Sequence, residues 1–133
     1  MNDAVIWSEQ RQPGITAIVC GSRRGYEGVG AALSAFERDH QRIAHLIVGS
    51  TQGVDRAAHV WALEQERIAT VCSARWRAHG KLAGPVRNQT MAIVFSPDMV
   101  LAFPGGAGTE CMVDIARREG IALWRWEGEG WKR

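Results

Sequence analysis

The stretch MVLAFPGGAGTECMVD, residues 99–114, passes directly from an apolar run through a glycine turn into a helical pattern. Its first five residues, 99–103, are apolar without interruption, which is typical of a strand buried on both faces. The turn that follows contains Pro104, Gly105, Gly106 and Gly108. From Thr109 the apolar residues recur at helical spacing, so the stretch predicts a strand, a tight turn and a helix.

The predicted turn has the chemistry of an anion site. Glycine lets a ligand approach the backbone closely, and the unpaired amides and dipole of a helix N-terminus favour negative charge. We therefore expect residues 104–109 to contact a phosphate group. The alternative is that the glycines only turn the strand into the helix. No Lys follows them, as a Walker loop requires, and the GxGxxG of dinucleotide folds belongs after the first strand instead.

The same alternation of apolar strands and helical stripes runs through most of the chain. Further strands are predicted over residues 15–20, 43–48, 68–72 and 121–124. The stripes are Val29, Ala32, Leu33 and Phe36; Val54, Ala57, Ala58 and Trp61; Val86, Thr90, Ile93 and Val94, after Pro85 in a first turn; and Met112, Ile115 and Ala116. Continuous apolar strands between helices predict an α/β, Rossmann-like three-layer sandwich, with a five-stranded parallel sheet in the order 3-2-1-4-5 and helices on both faces.

This strand order predicts where on the sheet a ligand would bind. In such sheets, ligands bind at the carboxyl ends of the strands, where the strand order reverses. The reversal lies between the first and fourth strands, so the turn at residues 21–25 is expected beside the turn at 104–109. The two glycine turns then form one crevice.

Length and composition describe an ordinary soluble domain. The 133 residues predict one domain, with a loose lead-in over residues 1–14 and a tryptophan-rich tail over 125–133 that packs on the last strand or across a dimer. The net charge of +2 is too small to predict nucleic-acid binding by itself. The sequence has neither a membrane-length apolar run nor a signal-peptide pattern, so we expect a cytoplasmic protein. Three scattered cysteines favour neither a disulfide framework nor a zinc site.

Five motifs occur in an order that resembles one branch of a known superfamily. They are GSR at 21–23, GVD at 53–55, a Trp followed by Gly-Lys across 76–81, AGPVRN with a following Met across 83–91, and PGGAGT at 104–109. The chain resembles the SLOG superfamily, which includes the Lonely-guy phosphoribohydrolases and the DNA-processing protein A family, and within it the YspA (cpYpsA-related) branch. The resemblance covers about residues 15–124 and implies a Rossmann-like fold and a nucleotide-derived ligand.

Several polar and aromatic side chains are candidates for the ligand site, each with a simpler alternative. Arg23 could fork onto a phosphate, or it could be a solvated loop arginine. Ser22 could donate its hydroxyl to the same group or stabilise the turn. Asp55 could bind a ribose hydroxyl or complement a helix dipole. Trp76 could stack on a base or pack on the sheet edge.

The family match also favours a ligand role for Arg87 and Asn88, in the first turn of the third helix. Lys81 lies in a segment that resembles a lid. The predicted ligand-binding residues are Gly21, Ser22, Arg23, Gly49, Asp55, Trp76, Lys81, Arg87, Asn88, Pro104, Gly105, Gly106, Gly108 and Thr109.

Phosphoribohydrolase activity would require a catalytic carboxylate. The resemblance to the Lonely-guy enzymes implies a catalytic Glu two or three residues after the Thr of PGGxGT, and this chain has Cys111 and Met112 there. Glu110 and Asp114 are the remaining catalytic candidates. Because Glu110 is one position early, its side chain is expected to point away from the position of the family's acid.

The sequence therefore favours a module that binds a phosphate-bearing nucleotide or nucleotide-derived signal, as a sensor or a sequestering protein. One alternative is a nucleoside-monophosphate phosphoribohydrolase, which a second carboxylate at the crevice would favour. Another is a nucleic-acid-binding module, which a continuous basic groove would favour. We expect no cofactor and no metal, no membrane partner, and assembly into a homodimer or higher homo-oligomer.

Overall fold

The computed structural model describes residues 13–133, in which strands alternate with helices. The strands are β1 (Ile15–Cys20), β2 (Ile43–Val48), β3 (Ile68–Val71), β4 (Met99–Ala102), β5 (Ala122–Trp126) and β6 (Trp131–Lys132). The helices are α1 (Val29–Asp39), α2 (Gly53–Glu64), α3 (Trp76–His79), α4 (Ala83–Val94) and α5 (Ala107–Glu119), with a 3-10 turn over Gly80–Leu82 between α3 and α4. The segment around Lys81 that was predicted to resemble a lid contains α3 and the 3-10 turn.

The strands form one sheet in the order β3-β2-β1-β4-β5-β6. β1 to β5 are parallel, which confirms the Rossmann-like fold class and the predicted order of these five strands. The predicted strand number needs correction, because β6 pairs antiparallel to β5. Gly128 has a positive φ of 90° and the amide of Glu127 donates to the carbonyl of Gly130 at 3.1 Å. This turn folds the tail back onto β5.

The two faces of the sheet carry separate apolar clusters. α1 and α2 cover one face, and their buried residues include Leu33, Phe36 and Val54. α4 and α5 cover the other face, where Met91 and Met112 pack on the strands. The stripes predicted for α1 and α5 are fully buried, and the stripe of α2 is buried except at half-buried Ala57.

The predicted buried face of α4 is wrong. Val86, Thr90, Ile93 and Val94 were expected to face the sheet, but all four are exposed, and Ile93 and Val94 are 63% and 65% accessible. The residues that are buried instead are Ala83, Asn88, Met91 and Ala92. The amide Nδ2 of Asn88 donates to the carbonyl of Gly108 at 3.2 Å, so a polar contact with α5 helps set this rotation of the helix.

The tryptophan-rich tail packs within the same molecule, on α1 and the sheet. The indole of Trp131 donates to the carbonyl of Ala32 at 2.8 Å. Its ring lies 5.8 Å from that of Phe36, and Trp124 lies at the same distance from Phe36. Residues 1–12 of the predicted lead-in lie outside the described residues. Among residues 13–133, no helix is both long and apolar enough to cross a membrane.

Candidate functional site

The two glycine turns predicted to meet do lie side by side. β1 and β4 are parallel neighbours, with Cys20 level with Ala102 at their carboxyl ends. Beyond that pair, the amide of Ser22 donates to the carbonyl of Pro104 at 3.1 Å. The carbonyl of Ser22 in turn accepts from the amide of Val54 at 3.0 Å. Three segments that are distant in sequence are therefore joined at one residue.

The crevice between these turns has a volume of about 440 Å³. Its lining residues are Cys20, Gly21, Ser22, Arg23, Arg24, Gly49, Ser50, Asp55, Arg87, Asn88, Met91, Gly106, Ala107, Gly108 and Thr109. Most of the residues predicted to bind the ligand are in this set.

The N-terminus of α5 forms one wall of the crevice. The helix begins at Ala107 after Gly106, and no side chain among residues 13–133 caps it. The first amides of a helix have no intrahelical acceptor, and the helix dipole makes this end partly positive. Gly105 holds the turn against this helix, since a Cβ there would lie 2.2 Å from Oγ1 of buried Thr109. The wall is suited to an anion.

Arg87 also lines the crevice, and two hydrogen bonds anchor its guanidinium. Its Nη1 donates to the carbonyl of Gly49, and its Nε donates to Oδ1 of Asn88 at 2.8 Å. A Cβ at position 49 would lie 2.5 Å from Nη1, so this contact requires glycine there. Burial lowers the pKa of Arg87, and the nearby carboxylate of Asp55 opposes that shift. An arginine remains protonated in such a setting, so the crevice holds a fixed positive charge.

Asp55 places a partly buried carboxylate in the same crevice. Its Oδ2 accepts from the amide of Gly49 and from the hydroxyl of Ser50, each at 3.1 Å. Burial raises the pKa of Asp55 to about 6, against the opposing effect of these hydrogen bonds and of Arg87. The carboxylate faces the turn after β2, and no side-chain bond caps α2. Burial and the nearby Asp55 also raise the pKa of the Cys20 thiol above its ordinary range, which keeps that thiol neutral.

Trp76 lies beside the crevice rather than in it. A smaller cavity of about 260 Å³ contains Trp76 and shares Arg23, Gly49, Ser50 and Arg87 with the crevice. Trp76 is 51% exposed, and the guanidinium of Arg23 lies 5.6 Å from the centre of its ring. Lys81 is exposed on the 3-10 turn and lines neither cavity.

The two catalytic candidates do not line the crevice. Oε1 of Glu110 lies 2.5 Å from Nη2 of Arg125, on the side of the sheet toward β5. Asp114 is exposed on α5. The carboxylate that does line the crevice is Asp55. It was predicted to bind a ribose hydroxyl or to complement a helix dipole, and not to act as an acid or base.

Sequence reasoning missed five lining residues: Cys20, Arg24, Ser50, Met91 and Ala107. Four of them directly adjoin predicted residues in the sequence, so extending each motif by one position would have found them. Met91 was noted only as part of a motif. Two predicted residues lie to one side: Pro104 lines a neighbouring cavity, and Gly105 packs against Thr109.

Comparison with known proteins supports the fold. No family model matches the chain, and no curated protein sequence matches it. The X-ray structure of DNA processing protein A (DprA) from Streptococcus pneumoniae is similar, with a TM-score of 0.68 and 17% sequence identity. The likeness covers 86% of this chain and 51% of that one, so the chain spans about half the length of that protein. At this identity, the likeness establishes the Rossmann-like fold alone.

Proposed function

We propose that the chain binds a phosphate-bearing nucleotide or nucleotide-derived signal in the crevice between the two glycine turns. The observation that carries this proposal is that the uncapped N-terminus of α5 and the anchored guanidinium of Arg87 line the same crevice. Backbone amides and an arginine that converge on one cavity provide the donors that a phosphate needs. We also propose that the chain is a member of the YspA branch of SLOG, because the motifs of that resemblance supply most of the lining.

Three further residues have a proposed role in the same complex. Arg23 is exposed at the rim and is free to fork onto the phosphate that the amides of α5 hold. Asp55 accepts a hydrogen bond from a ribose hydroxyl, since its partly buried carboxylate lines the same crevice. Trp76 stacks on the base, because its ring is half exposed in the adjoining cavity.

The proposal is tested by calorimetric titration with ADP. Arg23→Ala and Arg87→Ala should each weaken binding by roughly 1.5–3 kcal/mol, the usual value of a hydrogen bond to a charged group. Arg117→Ala is the matched control, because Arg117 is exposed on α5 and lines none of the cavities. Unchanged ADP affinity in both crevice variants would contradict the proposal.

A second candidate function is binding of single-stranded nucleic acid. It is favoured by exposed cations, namely Arg24 in the lining of the crevice and Arg75, Arg77 and Lys81 in the segment that contains Trp76. In addition, a similar solved structure is that of a protein named for DNA processing. Phosphate contacts of this kind make affinity fall steeply with salt. Fluorescence anisotropy of a labelled oligonucleotide across a salt series separates the candidates. Oligonucleotide binding much tighter than ADP binding would favour this second function.

The third candidate, hydrolysis of nucleoside monophosphates, is proposed to be weak or absent. An N-glycosidase must stabilise positive charge on the ribose and activate water, and both tasks need placed carboxylates. Asp55 is the carboxylate among the described lining residues, while Glu110 is paired with Arg125. The assay is chromatographic detection of free base released from AMP. Robust release that is lost in Glu110→Gln or Asp55→Asn would overturn this expectation.

A further inference from the structure

A second cavity lies at the carboxyl ends of β4 and β5, outside the predicted site. Its volume is about 510 Å³, and its walls include Tyr26, Phe103, Pro104, Arg125, Trp126 and Gly128. We name it the aromatic cavity. Apart from Pro104, none of these residues belongs to the predicted ligand set.

The aromatic walls of this cavity are held in fixed orientations. The indole of Trp126 donates to the hydroxyl of Tyr26 at 3.1 Å. The ring of Phe103 packs 5.8 Å from Tyr26 and 6.5 Å from Trp126, measured between ring centres. Tyr26 and Trp126 are only half buried, whereas Phe103 beneath them is buried. Partly exposed aromatic rings that cannot rotate freely are good stacking surfaces for another flat ring.

Polar groups at the cavity provide both hydrogen-bond donors and an acceptor. The guanidinium of Arg125 lines the cavity, and its Nη2 is bonded to Oε1 of Glu110 at 2.5 Å. The side chain of Arg125 remains 34% exposed and keeps donors free. The acceptor among the lining residues is the carboxylate of Glu127, which is exposed. Ring nitrogens and exocyclic amino groups need this combination, which favours a nucleobase over a purely apolar ring.

The three cavities lie in one row along the carboxyl edge of the sheet. The cavity of Trp76 shares Arg23 and Arg87 with the central crevice. On the other side, Pro104 lines the aromatic cavity and Gly106 lines the crevice, two residues apart on the same turn. The row therefore places an aromatic surface on each side of one anion site.

From this row we propose that the ligand is a dinucleotide, with two bases joined through phosphates. One base stacks on Trp76, the phosphates lie against α5 and Arg87, and the second base enters the aromatic cavity and stacks on the exposed surface of Tyr26 and Trp126. This inference rests on the proposed function, since it assumes that the crevice holds the phosphates.

The test compares ADP with diadenosine diphosphate by calorimetry on the full chain. The two probes have the same number of phosphates and differ by one adenosine. Diadenosine diphosphate should bind about ten-fold more tightly or better, from the stacking of one more base. Tyr26→Ala should abolish that advantage without changing ADP affinity, and Tyr26→Phe should retain it because the ring remains. Trp126→Leu changes the same cavity at a residue of β5 and is expected to act as Tyr26→Ala does. Melting temperatures show whether each variant is folded.

The possible results separate this inference from the proposed function. Equal affinities for the two probes would overturn the dinucleotide, and so would an advantage that survives in folded Tyr26→Ala and Trp126→Leu. The proposed function would still stand in either case if Arg87→Ala weakens ADP binding. No binding of either probe would overturn both. Much tighter binding of a longer oligonucleotide than of diadenosine diphosphate would assign the row to nucleic acid instead.

Discussion

Replacing Asp55 with Asn should change how the stability of the protein depends on pH. The Asp55 carboxylate is partly buried in the crevice, and this burial raises its pKa from 3.8 to about 6. A carboxylate whose pKa is raised on folding binds its proton more tightly in the folded chain than in the unfolded one. The stabilisation from this group is therefore complete below the unfolded pKa and is lost as the pH rises through about 6.

The size of the effect follows from the pKa itself. Between about pH 4.5 and pH 8, the wild type loses the stabilisation that this group provides. The loss takes place from about pH 4.5 up to the folded pKa of about 6, an interval of about 1.5 pH units. At about 1.36 kcal/mol per unit, this is roughly 2 kcal/mol of unfolding free energy. Asp55→Asn has no proton to lose, so this part of the pH dependence should disappear. The amide oxygen of Asn can still accept from Gly49 and Ser50.

Urea unfolding at about pH 4.5 and about pH 8 measures the difference. Relative to the Asn variant, the wild type should lose roughly 2 kcal/mol more between the two pH values. Asp114→Asn is the control, because Asp114 is exposed on α5, and it should follow the wild type. If wild type and Asp55→Asn change in parallel, the pKa of Asp55 is not raised and the reasoning from burial is refuted.

Two further pairs of variants test the packing around the site and the outer surface. Gly105→Ala should lower the unfolding free energy by roughly 1–3 kcal/mol, because its Cβ would overlap Thr109. Gly106→Ala, with nothing within 4 Å of its Cβ, should change it little, and equal losses measured by urea unfolding would contradict this. We also propose that the expected homo-oligomer uses the exposed apolar face of α4, so Ile93→Glu should reduce the mass measured by light scattering while Val60→Glu on α2 does not. A wild-type monomer would refute this.

The two turns that form the crevice could be predicted from the sequence, but the chemistry inside it could not. Glycine and proline mark the ends of strands locally, and a parallel sheet brings those ends to one edge. The role of Arg87 depends on a bond to Gly49, which is 38 positions away in the sequence. Likewise, the pKa of Asp55 follows from how deeply the folded chain buries it, which no spacing of residues records.

By itself, the sequence determined the order of β1 to β5 and of the four longer helices between them, and the buried faces of α1, α2 and α5. These follow from the period of apolar residues, because strand and helix geometry fix which side chains share a face. Only the tertiary structure decided the rotation of α4, the β5–β6 hairpin and the placing of Glu110 against Arg125. The rotation of α4 involves the bond from Asn88 to Gly108, 20 positions away. The hairpin is closed by a local turn, but its packing involves the bond from Trp131 to Ala32, 99 positions away. Apolar periodicity carries no information about which distant polar group a side chain will meet.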